Sequence, residues 1–293
     1  MAFTTKTKIK NAINAILNPL GFDLQTTLRY NLETTRLNEL VAAGHWSSPR
    51  YFNGIKLDSE QQLEFLSEVV APYKQSYAAF PINKGDADPG QFYLDNDFFG
   101  SVDTEVLYAI IRHHHPERIV EIGSGNSTKV MKMAIAAESL STQITSIDPT
   151  PRVSVAESAQ RWIASRVELL PATQIFDTLK TDDVLFIDSS HEVLAGGDVP
   201  FLFLEVLPRL AAGVLIHIHD MFLPFDYPQK WVVDRRWTLN EQYLVHAFLC
   251  FNPCFEILWA SNYMWQTQKT QLLSVIRCSE TAAVPASLWI RRR

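Results

Sequence analysis

Carboxylates and imidazoles collect at the ends of apolar runs in the middle of this chain, where they could hold a cation, orient a hydroxyl or move a proton. Glu121 stands two residues before Gly123, and Asp148 follows the run Gln143 to Ile147. Asp188 follows Val184 to Ile187, with His191 three residues on, and "GVLIHIHD" ends in His217, His219 and Asp220. An imidazole titrates near neutral pH and suits proton transfer, while carboxylates accept hydrogen bonds from hydroxyls and amines or bind hard metal ions.

Such side chains are useful only if one scaffold brings them together. From residue 101 onward, short apolar runs alternate with longer helical stretches, the pattern of an α/β, doubly wound, Rossmann-like sheet. Seven strands are expected, at 118–122, 143–147, 167–170, 184–187, 214–219, 255–260 and 287–291. A helix over 103–114 should lead into the first and stop before Pro116. Residues 1–100 read as a helical extension or cap and 101–293 as the sheet domain. Within the extension, Ser59 and Gln62 have capping-box spacing ahead of a helix, and 81–100 is loop-like and aromatic, a candidate cover.

The sequence "IVEIGSGNSTKVMKMAI" is a strand, a glycine turn and a helix. Gly123 and Gly125 allow a tight bend and close approach of a ligand, while Ser127 and Thr128 can cap the helix. A dinucleotide site would need a third glycine where Thr128 stands, and Glu121 would repel a pyrophosphate. An NAD-dependent oxidoreductase is therefore the alternative reading. Glu121 suits a cationic amino group, and Asp148 lies where an acid can accept both hydroxyls of a ribose. Together they describe S-adenosylmethionine.

The segments "VEIGSGNST", "LFIDSSHEV", "DVPFLFLEVLPRLAAGVLIHIHDMFLPFDYP", "NEQYLVHAFL" and "SLWIR" resemble class I S-adenosylmethionine-dependent methyltransferases of the methyltransferase domain 24 family, from about Asp103 to the C-terminus. The resemblance implies a seven-stranded sheet with an antiparallel last strand, and S-adenosyl-L-methionine as cofactor. Ser127 stands where the broader class often has a third glycine. A relative that keeps the cofactor pocket without methylating is the other alternative. Glu121, Gly123, Ser124, Gly125, Ser127, Thr128, Asp148 and Asp188 form the expected cofactor-binding set.

The expected acceptor is a hydroxyl of a small molecule, a sugar or secondary metabolite, which needs activation at neutral pH. A base, His219 or His191, is one route, with Asp220 beside it. The other is a divalent metal, Mg2+ or Mn2+, on Asp188, His219 and Asp220. Asp188 and Asp220 resemble the positional counterparts of the metal-binding acids in catechol-type O-methyltransferases, although His219-Asp220 replaces an Asp-Asn pair. Plainer roles compete: His217 as a core histidine, His191 as a helix cap, and His113 to His115 as a helix end. After Asp220 a long loop carries Phe222, Phe225, Tyr227, Trp231 and Trp237, either pocket wall or anchor, and Glu241 opens the next helix.

A net charge of -6 gives no basic footprint, so no nucleic-acid partner is expected. Cys250, Cys254 and Cys278 cannot all pair and lack zinc-type spacing, which fits a reducing cytoplasm. No signal peptide or membrane span is expected from the apolar pattern. Residues 6–17 place Ile9, Ala12, Ile13, Ile16 and Leu17 on one helical face beside lysines, a pattern that suits either packing or peripheral contact with an anionic membrane.

Overall fold

The computed structural model describes residues 2–22, 27–88, 90–151, 159–276 and 284–293. Two compact units divide the chain, 1–48 and 49–293. The first contains the helices α1 (Ala2–Leu17) and α2 (Thr27–Ala42). Ile9, Ile13 and Ile16 are exposed on α1, and among the described residues no helix is long and apolar enough to cross a membrane. Residues 49–100, read from sequence as part of the extension, belong to the second unit.

The second unit is built on a seven-stranded sheet of β1 (Arg118–Ile122), β2 (Gln143–Ile147), β3 (Arg161–Ile163), β4 (Val184–Ile187), β5 (Leu215–Ile218), β6 (Phe255–Ala260) and β7 (Leu288–Arg292). The order is β3-β2-β1-β4-β5-β7-β6, and β7 alone is antiparallel to its neighbours. This is the expected Rossmann-like sheet with an antiparallel last strand. One strand falls elsewhere: Val167–Leu169 forms a turn of 3-10 helix, and Arg161–Ile163 pairs with β2 instead. Apolar content pointed to 167–170, but an edge strand needs little burial. Arg161 and Trp162 are exposed there, and Leu169 is exposed in the turn.

The central strands are apolar without alternation because both faces are covered. All four residues of β4 are fully buried, each stabilising the fold by about 1.5–3 kcal/mol. Period two sorts them strictly. Ile119, Val184, Phe186 and Leu215 enter one core, while Val120, Leu185, Ile187, Ile216 and Ile218 enter the other.

Three helices pack on the sheet. In α3 (Ser59–Phe65) the cap is Asp58, which accepts from the amides of Glu60 and Gln61, rather than Ser59. Gln62 does not return to the cap; its Oε1 accepts from the Ala260 amide at 2.7 Å. α4 (Asp103–His114) matches its expected bounds, and α5 (Asn126–Ala137) follows the glycine turn. Cys250 and Cys254 are free, and Cys278 lies outside the described residues.

Candidate active site at the strand ends

Strand order reverses between β1 and β4, and in open α/β sheets ligands bind beyond the carboxyl ends of strands at that point. Glu121, Asp148, Asp188, His219 and Asp220 all lie at this rim, brought there by parallel register. Ile122 is level with Ile147 and Ile187, and Ile187 with Ile218.

Gly123 is the joint of the turn. Its φ is +77°, and a Cβ there would sit 2.3 Å from the Asp188 carbonyl oxygen. Only glycine combines this conformation with this approach. The Gly123 amide donates to Ile147 O at 3.0 Å and the Asp188 amide to Ile122 O at 2.9 Å, stitching the turn to both neighbouring strands. At Gly125 an added Cβ would meet nothing within 4 Å, so the turn faces open space on that side. Its amide donates to Thr128 Oγ1 at 3.0 Å.

Glu121 is fully buried under the turn. Its carboxylate accepts from Ser127 Oγ at 2.7 Å, from Thr128 Oγ1 at 2.8 and 3.0 Å, and from Ser146 Oγ at 2.6 Å. Burial outweighs these hydrogen bonds and raises its pKa to about 7. The sequence reading placed Glu121 directly on a cationic amino group. The structure encloses its carboxylate in the hydroxyls of Ser127, Thr128 and Ser146, beneath the turn.

Asp148 is half-buried, with Oδ2 accepting from the Ser124 amide at 3.0 Å and Ser124 Oγ at 2.8 Å, and Oδ1 from the Thr150 amide at 2.8 Å. A carboxylate has about four acceptor positions. Among the described residues three are filled by Ser124 and Thr150. The open face at Gly125 and this acceptor fit a nucleoside on the turn.

Across the switch point, His191 is the hub. It does not cap a helix: its φ is +60°, and the next helical turn begins at Asp198. Its Nδ1 lies 2.9 Å from Glu241 Oε2, and its Nε2 lies 3.2 Å from Asp188 Oδ1 and 3.5 Å from Asp220 Oδ2. Burial opposes a charge on this ring, but hydrogen bonds to Asp188 and Glu241 outweigh it and raise its pKa well above the ordinary value. Burial likewise works against the Asp188 charge, yet His219 and His191 hold that carboxyl well below the usual range.

Glu241 opens α6 (Glu241–Leu249) with a fully buried side chain. It accepts from Ser189 Oγ at 3.0 Å on both oxygens, while the amides of Asn240 and Glu241 donate to the His191 carbonyl at 3.0 and 3.2 Å. The sequence offered substrate contact or helix-start chemistry for this acid, and its partner in His191 was invisible there.

His219 is 8% exposed, with Nδ1 3.5 Å from Asp220 Oδ1 and 3.7 Å from Asp188 Oδ1. His217 sits deeper, stacked on Phe186 at 3.8 Å with Nε2 2.8 Å from Ser287 Oγ. Burial, followed by His219, holds its pKa well below the ordinary value, so it is a neutral core residue. Among the described residues, no group of three or more His, Cys, Asp or Glu side chains is arranged to hold a metal ion. The expected set of Asp188, His219 and Asp220 does not fit one, because His191 already engages both carboxylates.

Asn96, Asp103 and Gln242 are supports that sequence reading missed, while the aromatic residues of the two loops were expected as cover, wall or anchor. Asn96 accepts from Asn126 Nδ2 at 2.9 Å, tying the 81–100 loop to the glycine turn. From the same loop, Phe99 packs 5.5 Å from the His219 ring. Asp103, buried at the start of α4, accepts from the amides of Ala286 and Ser287 at 2.8 and 3.1 Å, ahead of β7. In the 221–243 loop, Phe222 and Tyr227 are buried anchors. Gln242 fastens this loop, accepting from the Phe222 amide at 2.8 Å while its own amide donates to Tyr227 Oη at 2.9 Å. Trp237 remains 44% exposed, too open to wall a dry pocket.

Comparison with known proteins addresses this region directly. Residues 120–221 match the family model described as a methyltransferase domain. An uncharacterized protein of Archaeoglobus fulgidus is 35% identical over 77 residues, 26% of this chain. That match spans only 34% of the relative's length. Among solved structures, an O-methyltransferase from Bacillus cereus in complex with SAH aligns at 13% identity over 82% of this chain and 93% of its own, with a TM-score of 0.40. The SAH-bound Podospora anserina methyltransferase PaMTH1 aligns at 17% identity over 92% of this chain and 100% of its own, with a TM-score of 0.37. The matched stretch contains β2 to β5, β1 from Val120 onward, and every residue from Glu121 to Asp220 named above. Residues 120–221 of this chain are thus similar to a methyltransferase domain.

Proposed function

We propose that the protein transfers a methyl group from S-adenosylmethionine to an oxygen of a small-molecule acceptor, a sugar or a secondary metabolite. The carrying observation is that a ligand-facing glycine turn and a histidine-carboxylate cluster meet at one switch point, joined through the contact of Gly123 with Asp188. The cofactor supplies an electrophilic methyl group on a sulfonium. On the cofactor side, Gly123, Ser124 and Gly125 give a backbone that a nucleoside can approach, and Asp148 offers its remaining acceptor position. Glu121, Ser127 and Thr128 fix the shape of that turn, and Asp188 closes it from β4.

On the acceptor side, His219 takes the hydroxyl proton. Asp188 and Asp220 lie within 3.7 Å of its Nδ1 and compensate the positive charge the ring gains with that proton. His191 is less suited to this step, since both its ring nitrogens face carboxylates at 2.9 and 3.2 Å and a ring donating from both has no lone pair for a proton. Phe99 beside His219 helps exclude water from the transfer.

Calorimetric titration tests the cofactor half. SAH should bind the wild-type protein, and Asp148→Ala should weaken it about tenfold or more, the worth of a charged hydrogen bond. Undetectable SAH binding by the folded wild type would remove the basis of the proposal. Incubation with acceptor panels and mass detection of an added CH2 group then identifies the acceptor class.

A further inference from the structure

We propose that His191 is the resident cation of this site, its ring filling the place among Asp188, Asp220 and Glu241 that a divalent metal would otherwise take. The inference deepens the methyl-transfer reading, because it assigns His191 to positioning the acceptor-side carboxylates.

Three carboxylates from three separate elements meet one ring: Asp188 after β4, Asp220 after β5 and Glu241 at the start of α6. Uncompensated carboxylates at such spacing would repel one another, and those with little solvent access most strongly. The Glu241 side chain is fully buried and that of Asp220 is 19% exposed, so water compensates them poorly. The nearest other ring, His219, reaches Asp188 and Asp220 at 3.7 and 3.5 Å on the acceptor side. Glu241 is therefore left with His191 and the Ser189 hydroxyl.

His191 is also built in as a fixed part. Its carbonyl receives two amides from the start of α6, and its own amide donates to Ser189 Oγ at 3.2 Å. The carbonyl end is thus tied to the start of the helix that carries Glu241, and the amide end reaches it through Ser189, whose hydroxyl donates to Glu241. A ring held this way keeps Asp188 and Asp220 in register without an exchangeable ion.

Ion binding tests this independently of methyl transfer. Chelator-treated wild-type protein should show no change in Tm with Mg2+ or Mn2+. His191→Ala removes the ring and leaves three converging carboxylates, so Mn2+ should raise its Tm by about 5 °C at saturating ion. A Tm rise in the wild type would overturn the proposal, as would a folded His191→Ala protein indifferent to Mn2+. Should the variant be unfolded in chelator, recovery of structure on adding Mn2+ supports the proposal and failure to recover overturns it. Loss of SAH binding with these ion responses intact would instead count against the methyl-transfer reading alone.

Discussion

Replacing Glu121 with glutamine tests how the turn is built. Glu121 is fully buried, and its pKa rises from 4.5 to about 7. At about 1.4 kcal/mol per pH unit, that rise corresponds to about 3 kcal/mol against the charged form. Because the folded pKa is the higher one, the cost is absent below the unfolded value, where the group is protonated in both states. It grows as pH climbs from 4.5 and is complete above about 7. Glutamine does not ionise, and its surrounding hydroxyls can rotate to donate or accept. Urea denaturation of both proteins should therefore show Glu121→Gln gaining about 3 kcal/mol relative to wild type between about pH 5 and pH 8. SAH affinity should fall less than about tenfold, since the carboxylate does not reach the outer face of the turn. A stability difference constant across that pH range would refute the burial argument, and abolished SAH binding would restore a direct contact.

Three other perturbations address neighbouring parts. Glu241→Gln breaks a buried His-carboxylate pair and should cost about 3 kcal/mol in chemical denaturation, with SAH affinity largely kept. Gly123→Ala forces a Cβ against Asp188 O and a side chain into left-handed backbone. It should lower Tm by several degrees and weaken SAH binding in the same titrations. His219→Ala should reduce kcat about 100-fold or more with SAH affinity unchanged, read by single-turnover methylation once an acceptor is known.

The sheet was legible because its signal is repetitive. Apolar-rich runs at 118–122, 143–147 and 184–187 coincide with parallel strands, since a buried parallel strand is apolar on both faces, and the run at 255–260 coincides with the edge strand β6. The exception is β3, where Arg161 and Trp162 at an edge carry no such signal and paired backbone alone defines the strand. The site was legible as a set of strand ends but not as a network. Residue types placed Glu121 and Asp148 at the turn, yet nothing in the sequence told that Ser146 and Thr128 would close over the first or that Ser124 and Thr150 would occupy the second. Glu241 lies 50 positions from His191, and their 2.9 Å contact depends on where α6 begins relative to β4. Spacing along a chain carries no record of that.

Register explains why the chemistry separates into two halves. Side chains alternate along a strand, and in-register parallel strands present the same face at the same level. Glu121 therefore shares a face with Ile119, and Asp188 with Val184 and Phe186, all over the core that holds α4 and α5. On β1 and β2 that position is roofed by the glycine turn, so its acids become internal acceptors: Glu121 for three hydroxyls, Asp148 mainly for Ser124. On β4 and β5 the positions level with Glu121 carry Phe186 and His217, and those one step further, level with Gly123 and Asp148, carry Asp188 and His219 at the rim. The two halves meet where Gly123 touches the Asp188 backbone, a contact with no room for a side chain. On the proposed reading, a nucleoside on the turn and a hydroxyl beside His219 would be brought together by the sheet itself. Positioning of this kind supplies the near-attack geometry that an in-line methyl transfer requires.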